Sequence, residues 1–216
     1  MIQQMLDTIG LFFPLTEKNA DAYAVLKVSG MKFRIRTFQA EGLGHVSSME
    51  ASGFFGLMKM DTLIINPTCK DMPLFSYDRV HAMGNDTLIF ELYDTLLEQT
   101  DLSALDQVKQ SAAYLPDHDL GQHWYDSIKL SQSLSKKGKR SETSPFNVTA
   151  AHYLVKYLET ALHAPVCAEA PKLEKASVYV EGLLANGGPS TDVFKKGIGS
   201  EKTAELFRRV LFGTNA

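Results

Sequence analysis

The 216-residue sequence predicts an α/β fold of the α+β type, a three-layer α/β/α sandwich with a central antiparallel β-sheet. Three observations predict it. From Ala22 to Thr95 the chain is a series of short segments rich in Val, Ile, Phe, Tyr and Thr, joined by a few residues each. Neighbours so closely joined pair antiparallel, because a parallel crossover needs about a dozen residues. From Asp101 onward the apolar spacing becomes helical, and the strands carry apolar side chains on both faces, so the sheet needs cover on both sides.

Each element follows in order. Ile2, Met5, Leu6 and Ile9 share one face of an opening helix that stops before Pro14. Strands are expected over 22–29, 32–40, 43–50, 55–65, 73–82 and 86–94, a meander punctuated by Gly30, Gly42, Gly53, Pro67, Pro73 and Asn85. Helices are expected over 102–114, around Leu154, Leu158, Ala161 and Leu162, over 173–185, and around Leu206, Phe207, Val210 and Leu211. The stretch SQSLSKKGKRSETSP at 131–145 has the composition of an exposed loop. No half looks self-sufficient, so one domain over 1–216 is expected.

Composition narrows the function. With 44% hydrophobic residues the chain can bury a real core, and a net charge of -3 supplies no basic field for coating nucleic acid. No run of about 18 apolar residues is present and the N-terminus lacks the charged flank of a signal peptide, so a cytoplasmic protein without a membrane span is expected. Cys69 and Cys167, far apart in the chain and without CxxC spacing, are expected to be reduced, which makes the sequon at Asn147 incidental. Two cysteines are too few for an iron–sulfur cluster, which takes about four.

The informative residues are polar groups in mid-strand. In LMKMDTLII, Asp61 shares a face with Lys59, Leu63 and Ile65. In PLFSYDRV, Asp78 shares a face with Leu74, Ser76 and Val80. In LGHVSSME, His45 shares a face with Leu43, Ser47 and Met49, while Glu50 falls on the other side unless a bulge intervenes. A carboxylate between apolar neighbours is costly unless it is paired, protonated or facing a cavity. Each acid taken singly is more often an edge or solvent-facing residue, and His45 alone a structural histidine. Their recurrence on consecutive strands is what a proton-transferring pocket requires.

Other patterns are weaker. Gly42-Leu43-Gly44 has neither the βαβ setting nor the third glycine of a dinucleotide fingerprint. The glycines at 197 and 199 are explained by a helix start at Ser200. His118, Asp119 and His123 match no zinc spacing, so no metal is expected. The basic run Lys136, Lys137, Lys139 and Arg140 reads as a solvated loop able to clamp phosphate or carboxylate groups of a ligand.

The order of certain short stretches resembles the ferredoxin-dependent bilin reductases. These are Asn66-Pro67, then Asp71-Met72-Pro73-Leu74-Phe75, then Asp78-Arg79-Val80, followed by the segment from His123-Trp124 to Leu134 and the tail from Tyr179 to Gly213. The likeness runs from about Lys32 to Gly213, and the red chlorophyll catabolite reductases share the same fold. The resemblance implies a linear tetrapyrrole bound between the sheet and the C-terminal helices, no resident cofactor, and single electrons from reduced ferredoxin or flavodoxin. It implies that Asp78 is the principal proton donor, with Asp61 near a pocket position otherwise His or Asn, and Glu50 near a glutamate used by some members. Ser131, Lys136, Lys137 and Arg140 correspond to the region that holds substrate propionates. The acid that some members carry before a C-terminal proline is Gly188 here, with Asp192 a displaced substitute.

The expected activity is therefore reduction of a linear tetrapyrrole, with Asp78 as donor and Asp61 and His45 positioning or relaying protons. A non-catalytic tetrapyrrole carrier on the same fold is the alternative.

Overall fold

The computed structural model describes residues 1–214. Eight strands form one antiparallel sheet: β1 Leu15–Lys18, β2 Val25–Val28, β3 Met31–Ala40, β4 Gly44–Gly53, β5 Met58–Asn66, β6 Leu74–Ala82, β7 Asn85–Tyr93 and β8 Leu134–Lys139. Strands β3 to β7 meander in chain order and β8 adds to the far edge. β1 and β2 lie end to end along the outer edge of β3, opposite its C-terminal and N-terminal halves respectively.

Three helices cover one face. They are α1 (Ile2–Phe12), α2 (Ser103–Ser111) and α3 (Thr143–His163), and they bury Ile9, Leu105, Phe146 and Tyr153 against Leu63, Phe75, Tyr77 and Phe90 of the sheet. The other face is covered by α4 (Glu169–Asn186), α5 (Pro189–Ile198) and α6 (Ser200–Glu205), the last running on into a π-helical turn at Leu206–Leu211. These bring Tyr179, Phe194, Phe207 and Phe212 against Phe33, Ile35, Met49 and Tyr93. Period-two alternation thus feeds two separate cores, and the sandwich is the one the sequence predicts.

One expectation is corrected. The stretch at 131–145 is no loop: Leu134 to Lys139 pair with β7, and α3 begins at Thr143. Leu134 and Lys136 are buried while Lys137 and Lys139 are exposed, so the basic run hides a strand alternation behind polar composition. The two cysteines, far apart in the chain, are neighbours in the fold. Lys70 and Val166 form an antiparallel bridge, and the Cys167 amide donates to the Cys69 carbonyl at 3.2 Å, so the two residues stand directly opposite each other as free thiols.

Candidate active site

Strand register decides which side chains meet between the sheet and α4 to α6. Met49, Thr62, Ile64, Ser76, Asp78, Ile89, Glu91 and Tyr93 point the same way and form one wall of a cleft. Tyr179 and Leu183 of α4, Gly188, Ser190 and Thr191 at the start of α5, and Phe207, Leu211 and Phe212 form the opposite wall. Leu120, His123 and Tyr125 close one side. The cleft encloses a cavity of about 210 Å³ and is partly open to solvent.

The C-terminal wall is held by side chains of the sheet. Nε2 of His45 donates to the Val210 carbonyl at 2.9 Å, the Ser47 hydroxyl to that of Leu211 at 2.7 Å, and Nδ2 of Asn66 to that of Phe212 at 2.8 Å. These carbonyls end a helix and have no further turn to bond to, so three polar groups of the sheet replace it. Gly213 follows at φ +61, where a Cβ would stand 2.5 Å from the His45 ring, so neither the backbone angle nor the space admits a side chain.

Asp78 is the acid of the cleft. Burial pushes its carboxyl up to about 6, the charge of Glu91 adds to the rise, and a 2.5 Å hydrogen bond donated by the Thr62 hydroxyl opposes it. Glu91 is buried on the same face. One of its oxygens accepts from the Tyr93 hydroxyl at 2.6 Å, and the other is buried with no hydrogen-bond partner, 3.7 Å from the Lys129 ammonium. The rest of the wall is aromatic: Tyr93 stacks on Tyr179 at 4.0 Å, and Tyr125 meets both edge-on. His123 stacks on Tyr125 at 4.8 Å with a buried Nδ1 that has no hydrogen-bond partner. The arrangement can do one thing readily: hold a flat conjugated molecule in an apolar slot with a proton-bearing carboxyl at its face.

Of the residues assigned from the sequence to catalysis or substrate binding, Asp78 alone lines this cleft. Asp61 is on the opposite face, because Thr62 stands directly across from Asp78 and alternation turns its neighbour away. There it faces Glu50 on β4 and Arg79 on β6, and burial raises its carboxyl against the pull of the N-terminal ammonium. Glu50 is exposed on that same far face, as the strand alternation implies when no bulge intervenes. His45 is on the cleft side of the sheet but is spent on the Val210 carbonyl. Burial depresses its ring to about 4, so it is a neutral anchor and no relay.

The carboxylate-binding set also disperses. Lys136 faces the α2 and α3 side, buried, with its ammonium on the Leu115 carbonyl at 3.0 Å and Asp117 at 2.7 Å. Ser131 is exposed and lends only its carbonyl, to Lys109. Arg140 is exposed where its amide meets the Gly84 carbonyl at the end of β8. Asp192 is exposed beside Gly187, outside the cleft wall. Lys137 is exposed opposite Thr87, on the face that Ile89 and Glu91 present to the cleft. Among the described residues no three His, Cys, Asp or Glu side chains converge as a metal site.

Sequence reasoning missed Glu91, and weighed His123 only as a metal ligand. Glu91 carries the signature that marked Asp78, a carboxylate between the apolar Ile89 and Tyr93 in DTLIFELYD. His123 lies on a connection, where periodicity says nothing. The Asp-Met-Pro-Leu-Phe stretch proves to be scaffolding. Asp71 accepts the amides of Leu97 and Glu98, each at 2.8 Å, and stands 3.4 Å from the fully buried Lys172 ammonium, which fastens α4 to the sheet.

An antiparallel sheet between two helical layers is a fold that recurs among solved structures. Among solved structures, phytochromobilin synthase from tomato, crystallised in complex with biliverdin, superposes with a TM-score of 0.80 over 99% of this chain and 82% of that one. The two sequences are 14% identical, so the likeness is one of fold. No protein-family model matches the chain, and no curated protein matches it by sequence.

Proposed function

We propose that this protein is an oxidoreductase that reduces a linear tetrapyrrole, with single electrons delivered by reduced ferredoxin or flavodoxin and protons delivered by Asp78. The observation that carries the reading is the carboxyl of Asp78, lifted to about 6 inside an aromatic cleft. An acid so placed keeps an appreciable protonated fraction near neutral pH and can release its proton to a substrate made basic by an added electron. The fold likeness to a protein crystallised with biliverdin supports the substrate class. Tyr93, Tyr179 and Phe212 clamp the conjugated plane, the unpartnered oxygen of Glu91 accepts a pyrrole N–H, and Lys137 meets a substrate carboxylate at the rim.

Asp78→Asn tests the assignment because it removes a proton donor and almost no volume. Absorbance titration with biliverdin is expected to give similar affinity for wild type and variant. Anaerobic mixing with reduced ferredoxin is expected to show the variant's reduction slowed by about a hundredfold or more. Unchanged turnover by the variant would remove Asp78 from the mechanism, and wild-type binding without any reduction would favour the carrier.

A further inference from the structure

Three hairpin connections end at one edge of the sandwich, and two of them expose large apolar side chains. The β4 to β5 connection carries Phe54, Phe55 and Leu57, which are 56%, 108% and 71% exposed, and the β6 to β7 turn carries Met83 at 96%. Met58 pairs with Ala82, so Leu57 and Met83 stand next to each other one step beyond the ladder. Together the four residues make a projecting apolar crest. Three of them are held at positive φ: Phe54 at 51°, Phe55 at 55° and Met83 at 52°. Bulky side chains rarely adopt this region, where glycine or asparagine serves a turn with less strain. The fold alone thus gives no reason for these residues to be large and apolar.

The rim of the crest is basic. Lys32, Lys59, Lys139 and Arg140 are exposed on the last rungs of β3, β5 and β8 and just beyond, and none of them has a salt-bridge partner among the described residues. His81 lies beside Lys59 in register. Of the carboxylates on the strands, Glu50 and Asp61 are two rungs or more down the sheet, and Asp86 is engaged by Arg79.

We propose that this hairpin end is a docking surface for an anionic phospholipid membrane. Phe54, Phe55, Leu57 and Met83 enter the boundary between headgroups and acyl chains, and the lysines and Arg140 meet the phosphates around them. A convex crest suits a deformable lipid surface, whereas an acidic protein partner would need a complementary pocket for each tip. The contact is peripheral, since no helix among the described residues is long and apolar enough to cross a membrane. It goes beyond the reductase reading and does not depend on it.

The test is co-sedimentation of the full chain with phosphatidylcholine vesicles made with and without phosphatidylglycerol. Binding is expected only to the anionic vesicles, and is expected to weaken strongly in about 0.5 M salt. Phe55→Ser is expected to lower the partition coefficient by roughly tenfold, the worth of one buried aromatic side chain, and Lys59→Glu with Lys139→Glu to abolish binding. All substituted positions are exposed, so folding is not at stake, and circular dichroism checks it. Phe55→Trp supplies a direct readout, a blue-shifted emission band on adding anionic vesicles. Absence of binding to anionic vesicles, binding indifferent to these substitutions, or a variant-sensitive interaction with an acidic protein in place of vesicles would each overturn the proposal.

Discussion

At the scale of the residue, one rung of register separates an acid in the cleft from an acid on the far side of the sheet. Asp78 and Asp61 look alike in the sequence, each a carboxylate between apolar neighbours, and only the pairing of Thr62 with Asp78 tells them apart. Alternation shows which residues of one strand share a face, but leaves open which face that is relative to the next strand. Asp78 also weakens the fold it serves. Its carboxyl stands at about 6 in the folded chain against 3.8 in the unfolded one, so the folded state holds the proton more tightly. The stability this brings is complete below 3.8 and is lost as pH rises through 6. Asp78→Asn is therefore expected to raise stability at pH 7 by about 3 kcal/mol and to flatten its pH dependence between 4 and 6, as read by urea melts across that window. A variant less stable than wild type at pH 7 would contradict a carboxyl whose burial outweighs its hydrogen bond from Thr62.

At the scale of the element, the closing turn of the C-terminal helix forms a wall of the cleft only because β4 and β5 hold it. Asn66→Ala removes the donor to the Phe212 carbonyl and leaves a buried acceptor unmet. A stability loss of about 1–3 kcal/mol is expected in denaturant melts, together with weaker pigment binding, since Phe212 lines the cleft. The connections at the ends of β5 and α3 carry a second consequence. Directly opposed residues at a hydrogen-bonded antiparallel position have Cα atoms about 5.5 Å apart, inside the span a disulfide needs. Two-electron oxidation by diamide is expected to join Cys69 and Cys167 within one chain, and mass spectrometry of the digested protein identifies the crosslink. Only intermolecular dimers would show that the thiols point apart. The sequence identified the type of most elements, because β3 to β7 and the helices carry strong periods. It concealed β8, whose alternation is spelled almost entirely in serine and lysine, and it concealed the cysteine pair, because proximity across 98 positions leaves no local trace.

At the scale of the whole molecule, the two faces of the sheet shift their buried carboxyls in opposite directions. The cleft face keeps a proton-bearing acid. The far face buries Arg79 and Asp86 together, with the guanidinium fork on the carboxylate, the Thr143 hydroxyl donating to it at 2.7 Å, and the Phe146 ring 5.1 Å from the guanidinium carbon. Burial works against the charge of Asp86, but these partners more than offset it and hold the carboxyl below its usual range. Stability from Asp86 is present above 3.8 and lost as pH falls through its lower folded value, opposite in sign to Asp78. Asp86→Asn, which leaves a buried guanidinium without its counter-ion, is expected to cost about 3–5 kcal/mol in thermal or denaturant melts, and a loss below about 1 kcal/mol would sink this account. Three layers and two cores were legible from strand and helix periods alone. The opposite shifts on the two faces were not, because they depend on how strands stand beside one another.

The lysines of β8 carry a further implication for how this chain behaves in a crowded solution. A sheet that does not close on itself presents unsatisfied backbone along its last strand, a template on which another chain can add. Along β8 the first part of that strand is covered by the chain itself, since the His118 amide bonds the Ser135 carbonyl and the Lys137 amide the Pro116 carbonyl. The part beyond carries Lys137, Lys139 and Arg140, whose like charges repel an approaching copy. The same run that reads as a ligand clamp also keeps the molecule from growing into fibrils edge to edge.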